Sequence, residues 1–355
     1  MKIGIITLPL HTNYGGILQA YALQTVLKKM GHEVVTIDKG WWELRCSPFR
    51  RTYWRYKIRS WYTRRFVAKY MDVVVPKYWH EIVTLNLDVL VVGSDQVWRP
   101  LYFNEDIRNA FLHFAKDWNV KRIAYAASFG TETWEYTSQQ TASCAELIKL
   151  FNAVSVREES AGVLCRQHLQ VKADVLLDPT MLLNVEDYSI FFQKKTKSVN
   201  ENVLCTYFLD PDADKSELVE WVAGANGAFA VRELGVYTED GSHPLLKRVQ
   251  PPVESFISEI AIASVVVTDS FHGCVFAILF HKPFIVYGNS FRGMARFYSL
   301  LKIFGLEDRL VASSHEFIDK EIKPIDWDEV DSRLNVMRKS SFSFLHEGLN
   351  SVDVD

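Results

Sequence analysis

The chain has 355 residues, 48% of them hydrophobic and 23% charged, a length that at roughly 150 residues per domain suggests two soluble domains. Forty Lys and Arg against 43 Asp and Glu leave a net charge of −3, which excludes a generally basic, nucleic-acid-binding surface. Five scattered cysteines, Cys46, Cys144, Cys165, Cys205 and Cys274, form no C-x-x-C pair, so neither a disulfide framework nor a metal site is indicated, and a reducing cytoplasm fits. The opening MKIGIITLPLHTN is too short in its apolar run for a secretory segment and reads as a first β-strand. No stretch approaches the roughly 18 to 20 apolar residues of a membrane span, so any membrane contact is expected to be peripheral.

Short apolar runs alternate with amphipathic ones from the start. Lys2 to Thr7 and Glu33 to Ile37 read as strands flanking a helix from Gly16 to Met30, a βαβ opening that implies a parallel sheet. The rhythm continues with strands at 87–92, 122–126, 153–156 and 173–177 and helices at 134–151 and 158–168. A polar stretch at 193–202 has the composition of a linker. Beyond it, strands are expected at 203–208, 228–232, 264–268 and 283–287, with helices at 215–225, 253–263, 272–281 and 293–304. A last helix is expected over 326–347, ended by Gly348. The fold class is therefore α/β, with two Rossmann-like doubly wound domains facing across a cleft: residues 1–190, residues 200–325, and a helical tail at 326–355.

Ligands of open parallel sheets bind beyond the C-terminal strand ends, which directs attention to four polar loops. In the first, Asn13 and Tyr14 precede Gly15 and Gly16; this is either an Asn-capped tight turn or a place where backbone N–H groups approach a ligand. The second, Gly93, Ser94, Asp95 and Gln96 before Trp98, suits either a helix cap or a sugar whose hydroxyls need polar partners and whose CH face stacks on indole. The third puts Arg157 at a strand end, as an ion pair with a neighbouring Glu or as a bidentate anion clamp. The fourth ends a β-branched strand in Thr268, Asp269 and Ser270 and opens a helix with Phe271, His272 and Gly273, aiming His272 and free helix N–H groups toward the cleft. Arg292 and Arg296 follow, four residues apart, as further anion ligands or solvated cations.

Taken together, the segments NYGGILQAYALQ (13–24), VVGSDQVW (91–98), SVRE (155–158), LLDPTMLL (176–183) and DSFHGCVFAILFHKPFIV (269–286) resemble the polysaccharide pyruvyl transferase family. The resemblance implies a glycosyltransferase-B-like pair of domains that moves a pyruvyl group from phosphoenolpyruvate, the co-substrate, onto a sugar of a surface or capsular polysaccharide precursor as a ketal, releasing phosphate. It implies no further cofactor and no metal. The family's histidine falls on His272 and its phosphate-contacting arginine on Arg157. Relatives often carry arginine where this chain has Ser270, which makes Arg292 or Arg296 the candidates to replace that charge.

The expected donor site thus comprises Arg157, Ser270, Phe271, Gly273, Arg292 and Arg296. Asn13, Tyr14, Gly15, Gly16, Ser94, Gln96 and Trp98 form the acceptor side. His272 is the expected acid and base, with Asp95 a second base toward an acceptor hydroxyl. A nucleotide-sugar glycosyltransferase of the same fold is the alternative enzyme, and a non-catalytic binding protein that lost the donor site is the alternative outside enzymes.

The net charge hides an asymmetry. Residues 41–70 hold nine basic residues against Glu43 alone, together with four Trp and four Tyr, while the remainder holds 31 basic and 42 acidic residues. This insertion suits an anionic membrane surface carrying a lipid-linked acceptor, or else it is a solvated helical segment packed on the first domain.

Overall fold

The computed structural model describes residues 1–40, 49–103, 105–192, 202–225, 230–235, 242–288, 293–320 and 322–351. The chain divides into two compact units: Met1–Ser47, Val67–Leu182 and Asn335–Asp355 form one, and Pro48–Phe66 with Leu183–Leu334 the other.

The first unit is built on seven parallel strands: β1 (Lys2–Ile6), β2 (Glu33–Ile37), β3 (Val73–Val74), β4 (Val89–Val92), β5 (Lys121–Ala127), β6 (Ala153–Val156) and β7 (Asp174–Val175). Their order is β3-β2-β1-β4-β5-β6-β7. Because a parallel sheet is covered on both faces, its central strands are buried almost throughout, and β4 has all four residues at 0% exposure. The expected two α/β series and their parallel pairing are thus both present.

In the second unit, β8 (Val203–Tyr207), β9 (Ala230–Glu233), β10 (Val265–Thr268), β11 (Phe284–Tyr287) and β12 (Leu310–Val311) pair in the order β12-β11-β10-β8-β9, again all parallel. One buried cluster of this unit is aliphatic, with Leu204, Leu218, Val265, Val267 and Ile285, and another is aromatic, with Tyr207, Phe256 and Phe276 in ring contact. Chain direction across each sheet reverses once, between β1 and β4 in the first unit and between β8 and β10 in the second. At such switch points the loops leaving two neighbouring strands diverge and open a crevice.

The helix Tyr14–Lys29 explains most of the NYGGILQAYALQ run, since Tyr14 through Gln24 are all buried. Gln24 joins neighbouring elements: its Nε2 donates to Thr36 Oγ1 at 3.0 Å and to the Asp72 carbonyl at 2.7 Å, and its Oε1 accepts from Asp72 N–H at 2.9 Å. The thiols of Cys144, Cys165, Cys205 and Cys274 are buried. Burial pushes the first three up to about 12. Cys46 lies outside the described residues, as do residues 193–201 of the polar stretch and residues 41–48 of the basic insertion. Among the described residues no helix is long and apolar enough to cross a membrane.

Residues 49–66 group with the second unit rather than the first. The helix Arg51–Arg59 packs on the turn Leu245–Arg248, the Arg59 carbonyl accepts from Gln250 N–H at 2.9 Å, and the Phe66 ring lies 5.5 Å from that of Phe191. Gly348 does not end the last helix, which runs from Trp327 to Asn350. A Cβ at Gly348 would stand 3.1 Å from Ala153 Cβ and 3.2 Å from Ile123 Cδ1, so the glycine lets the helix lie directly on β5 and β6. Lys121 Nζ fixes that end through the Leu349 carbonyl at 2.9 Å, and Arg338 Nε donates to the Met181 carbonyl at 2.6 Å.

Replacing Gly348 by leucine is therefore expected to destabilise the protein by about 1–3 kcal/mol through overpacking. The readout is the thermal unfolding midpoint; an unchanged midpoint would mean that the helix end is not seated on the sheet.

Candidate functional site

At the first unit's switch point, Asn13 caps the helix Tyr14–Lys29, its Oδ1 accepting from Gly15 N–H at 3.0 Å. Of the two readings of this loop, the capped turn is the one observed. Gly16 has a second use: a Cβ there would lie 3.2 Å from Asp95 Oδ2, so any side chain would press on that carboxylate. Asp95 stands just after β4 with φ 70, a left-handed conformation that costs a non-glycine residue of order 1–3 kcal/mol and persists only where the surroundings over-determine it. Its carbonyl accepts from Ser128 N–H at 3.1 Å, and its Oδ2 has no hydrogen-bond partner among the described residues.

Asp95 belongs to a buried ionic cluster centred on Arg157, whose side chain is only 1% exposed. Arg157 Nη1 meets Asp178 Oδ2 at 2.8 Å, Nη2 lies 3.8 Å from Asp95 Oδ1, and Nε lies 4.0 Å from Glu158 Oε2. Asp178 also accepts from Ser94 Oγ at 2.9 Å and from the Thr180 hydroxyl and N–H at 2.7 and 3.0 Å. Glu158 Oε1 accepts from Ser128 Oγ and from the N–H groups of Phe129 and Gly130. Ser155 of the same SVRE run repairs a bulge in β5, its hydroxyl accepting from Ala126 N–H and donating to the Ala124 carbonyl, both at 2.9 Å.

Two expectations change here. Arg157 is not a clamp held open for an anion: a guanidinium surrounded by carboxylates has little net charge to offer a phosphate, and leaving Asp178 would strand a buried carboxylate. Trp98 is not a sugar platform. It is 0% exposed, stacks on Phe111 with centroids 5.0 Å apart, and donates its Nε1–H to the Ala110 carbonyl at 3.1 Å. An indole with an aromatic cluster behind it gains more by burial than by presenting a face to water. Tyr14 is likewise buried, at 1% exposure, and Gln96 lies over Gly130, where a Cβ would clash with its Oε1. Asp178, Glu158 and Thr180 carried no assigned role in the sequence, although Asp178 directly follows an apolar strand, which is the same signal that marked Asp95.

The second unit's switch point holds the other group. Thr268 ends β10, donates its hydroxyl to the Tyr207 carbonyl at 2.6 Å and accepts from Ser270 N–H at 3.0 Å. Asp269 braces the loop after β8: its carboxylate accepts from the N–H groups of Leu209 and Asp210 and pairs with Lys215 Nζ at 3.1 Å. Ser270 caps the helix Phe271–Leu279 by accepting from Gly273 N–H at 3.4 Å, so that N–H is already engaged. Gly273 is required by packing, since a Cβ there would fall 2.4 Å from Thr268 Oγ1.

His272 stands in the first turn of this helix, 6% exposed, where the helix dipole places partial positive charge. The Phe271 ring meets the His272 ring edge-on at 5.2 Å, and the Arg296 guanidinium lies 5.8 Å from the centre of Phe271. Ser270, Phe271, His272 and Arg296 are thus brought together from two helices. Arg292 lies outside the described residues. Among the described residues, no group of three or more His, Cys, Asp or Glu is arranged to hold a metal ion.

Removing Arg157 leaves the carboxylates around it uncompensated in the interior. Arg157→Ala is expected to lower the unfolding free energy by about 3–5 kcal/mol. Chemical denaturation measures it, and a loss below 1 kcal/mol would show that the cluster is solvated.

Comparison with solved structures bears on the fold. A glycosyltransferase from Rickettsia africae aligns over 99% of both chains with a TM-score of 0.59 and 12% identity. A putative UDP-N-acetylglucosamine 2-epimerase from Listeria monocytogenes, 10% identical, aligns over 99% of this chain and 97% of its own with a TM-score of 0.52. The S. aureus MnaA of a UDP co-structure, 12% identical, covers 99% of this chain and 91% of its own at 0.51. At such identities the likeness concerns architecture alone: two Rossmann-like domains of the glycosyltransferase-B type. Comparison with curated protein sequences gives no significant match. The family model for polysaccharide pyruvyl transferases matches residues 13–290, a stretch that begins at the Asn13 cap, contains Asp95, Arg157, Asp178 and His272, and extends just beyond β11. With most of its length, the Arg157 cluster and the His272 loop inside that match, and Arg296 just beyond it, the chain belongs to the polysaccharide pyruvyl transferase family.

Proposed function

We propose that this protein transfers the enolpyruvyl group of phosphoenolpyruvate to a sugar of a polysaccharide precursor, closing a pyruvate ketal across two hydroxyls and releasing phosphate. The observation that carries the reading is the placement of His272 in the first turn of its helix at a topological switch point, with the Arg296 guanidinium over the neighbouring Phe271 ring, in a member of this family.

The chemistry sets what is needed. A proton adds to the methylene carbon of phosphoenolpyruvate, a first sugar hydroxyl bonds to the adjacent carbon and loses its proton, and the carbon–phosphate oxygen bond breaks as the second hydroxyl closes the ring and loses its own. The methylene takes one proton and the departing phosphate the other, so the balance closes with no redox partner. Histidine, whose ordinary titration lies near neutrality, suits delivery and return of such protons, and His272 is assigned that role. Arg296, Ser270 and the partial positive charge of the helix start are assigned to the donor's phosphate and carboxylate, because a compact dianion needs charge-assisted hydrogen bonds to replace its water. Arg296 takes the place of the arginine that relatives carry at the Ser270 position.

Asp95 is assigned as base toward an acceptor hydroxyl. One carboxylate oxygen faces Arg157 and the other has no hydrogen-bond partner among the described residues. Arg157 then acts as a positioning residue, holding the Asp95 carboxylate in place. The sugar acceptor, free or lipid-linked, is expected to be read by the loop around the exposed Asn13, since Ser94 and Gln96 are buried and hydrogen-bonded within the first unit.

Phosphate release on mixing the protein with phosphoenolpyruvate and an acceptor panel tests the reading, with mass spectrometry of the product for an added ketal. His272→Gln is expected to lower kcat by about 10²–10⁴-fold while donor binding persists. Arg296→Ala is expected to weaken phosphoenolpyruvate binding by about 10- to 100-fold, the worth of a charged hydrogen bond. A thermal shift with UDP but none with phosphoenolpyruvate would instead identify a nucleotide-sugar enzyme.

A further inference from the structure

The basic, aromatic segment retains a feature that the transfer reaction does not use. Between Phe49 and Tyr70 stand eight basic residues and no acidic one. The two helices here, Arg51–Arg59 and Trp61–Tyr70, follow each other through Ser60, whose N–H donates to the Tyr56 carbonyl at 3.0 Å and whose carbonyl accepts from Arg64 N–H at 2.9 Å, so helical periodicity carries across the junction. Tyr56, Arg59, Ser60, Thr63 and Phe66 form the buried stripe, at spacings of three, one, three and three.

The outward stripe repeats with the same period and is not the polar face such a helix normally shows. Trp54 is 56% exposed, Ile58 37%, Trp61 60% and Tyr62 40%. Arg51, Arg55, Arg65 and Lys69 are exposed along the same stripe. Lys57 Nζ lies 4.5 Å from the Tyr53 ring centre and 5.7 Å from that of Trp54, so cation and ring share one patch. Leu246, 83% exposed, projects from the turn that packs on the first of these helices.

We infer that this stripe seats the protein on an anionic lipid surface, with Trp54, Ile58, Trp61 and Tyr62 at the boundary between headgroups and acyl chains and the arginines among the lipid phosphates. Large aromatic side chains at the water boundary, a surrounding ring of Arg and Lys and the lack of any acidic residue are the combination that such a surface selects. Half-exposed tryptophans cost free energy in water and gain it at the interface, while each cation there adds a further increment. A nucleic acid would attract the same cations, yet an aliphatic Ile58 and Leu246 contribute nothing to base stacking. The inference stands apart from the transfer reaction, since binding to a bilayer needs neither His272 nor a donor.

Flotation of the full-length protein tests it, using vesicles of phosphatidylcholine alone and of phosphatidylcholine mixed with phosphatidylglycerol. The protein is expected to float with the anionic vesicles only, and less so at about 0.5 M salt, where screening shortens the reach of surface charge. Charge removal in Arg51→Gln, Arg55→Gln, Arg65→Gln is expected to lower partitioning on the order of a hundredfold. The separate pair Trp54→Ala, Trp61→Ala is expected to lower it on the order of tenfold. All five side chains are exposed, and an unchanged unfolding midpoint shows each variant folded. Failure of the wild type to float, or flotation of both folded variants at the wild-type level, overturns the inference; so does binding to single-stranded DNA without binding to vesicles.

Discussion

Arg157 and Asp178 form the contact on which the first unit's functional face depends. An ion pair at 2.8 Å with both side chains almost wholly buried gains little net stability, because desolvating the two charges costs roughly what their attraction returns. What it supplies is geometry. Arg157 follows β6 and Asp178 follows β7, while Ser94 and Asp95 follow β4, so three strand ends are tied through one guanidinium and one carboxylate. Held this way, Asp95 keeps a left-handed backbone that an isolated loop would relax, and Gly16, lacking a side chain, leaves its carboxylate uncrowded.

The second unit solves the same problem with other residues. Asp269 ties the end of β10 to the loop after β8 through two backbone N–H groups and Lys215. In both units a carboxylate at the switch point is consumed in bracing, Asp178 in the first and Asp269 in the second, and the residue assigned to the chemistry stands near it: Asp95 within the Arg157 cluster, His272 three residues past Asp269. Rigid support around a reactive group lowers the reorganisation needed at the moment of reaction, which is where preorganised sites gain most of their advantage.

Solved structures of a glycosyltransferase, a putative UDP-N-acetylglucosamine 2-epimerase and MnaA share this architecture at 10–12% identity, which shows how little of the sequence the two-domain frame requires. Parallel strands need only a run of apolar residues covered on both faces, and many sequences provide that. The match to the pyruvyl transferase family spans residues 13–290 and takes in the positions beyond the strand ends. In this chain several of them prove to have structural reasons as well: Asn13 caps, Ser155 repairs a bulge, and Gly273 makes room for Thr268.

Local periodicity was enough to show two α/β series, their parallel pairing and the strand ends as the places for chemistry, because alternation of apolar runs and amphipathic stretches is a property of neighbours in the chain. It also sufficed to mark Asp95 and His272 as strand-end residues, and 41–70 as an outlier in charge. Strand order is not local, so only the folded sheet could show that β1 and β4 are adjacent and that Gly16 therefore meets Asp95. Burial is not local either. Trp98 and Arg157 read as presented groups until Phe111, Asp178 and Glu158, 13 to 21 residues away in sequence or adjacent on the strand end, enclosed them. The same held for Gly348, a helix terminator by composition and a point of close contact in fact, since what a glycine is for depends on which atoms approach it from elsewhere in the chain.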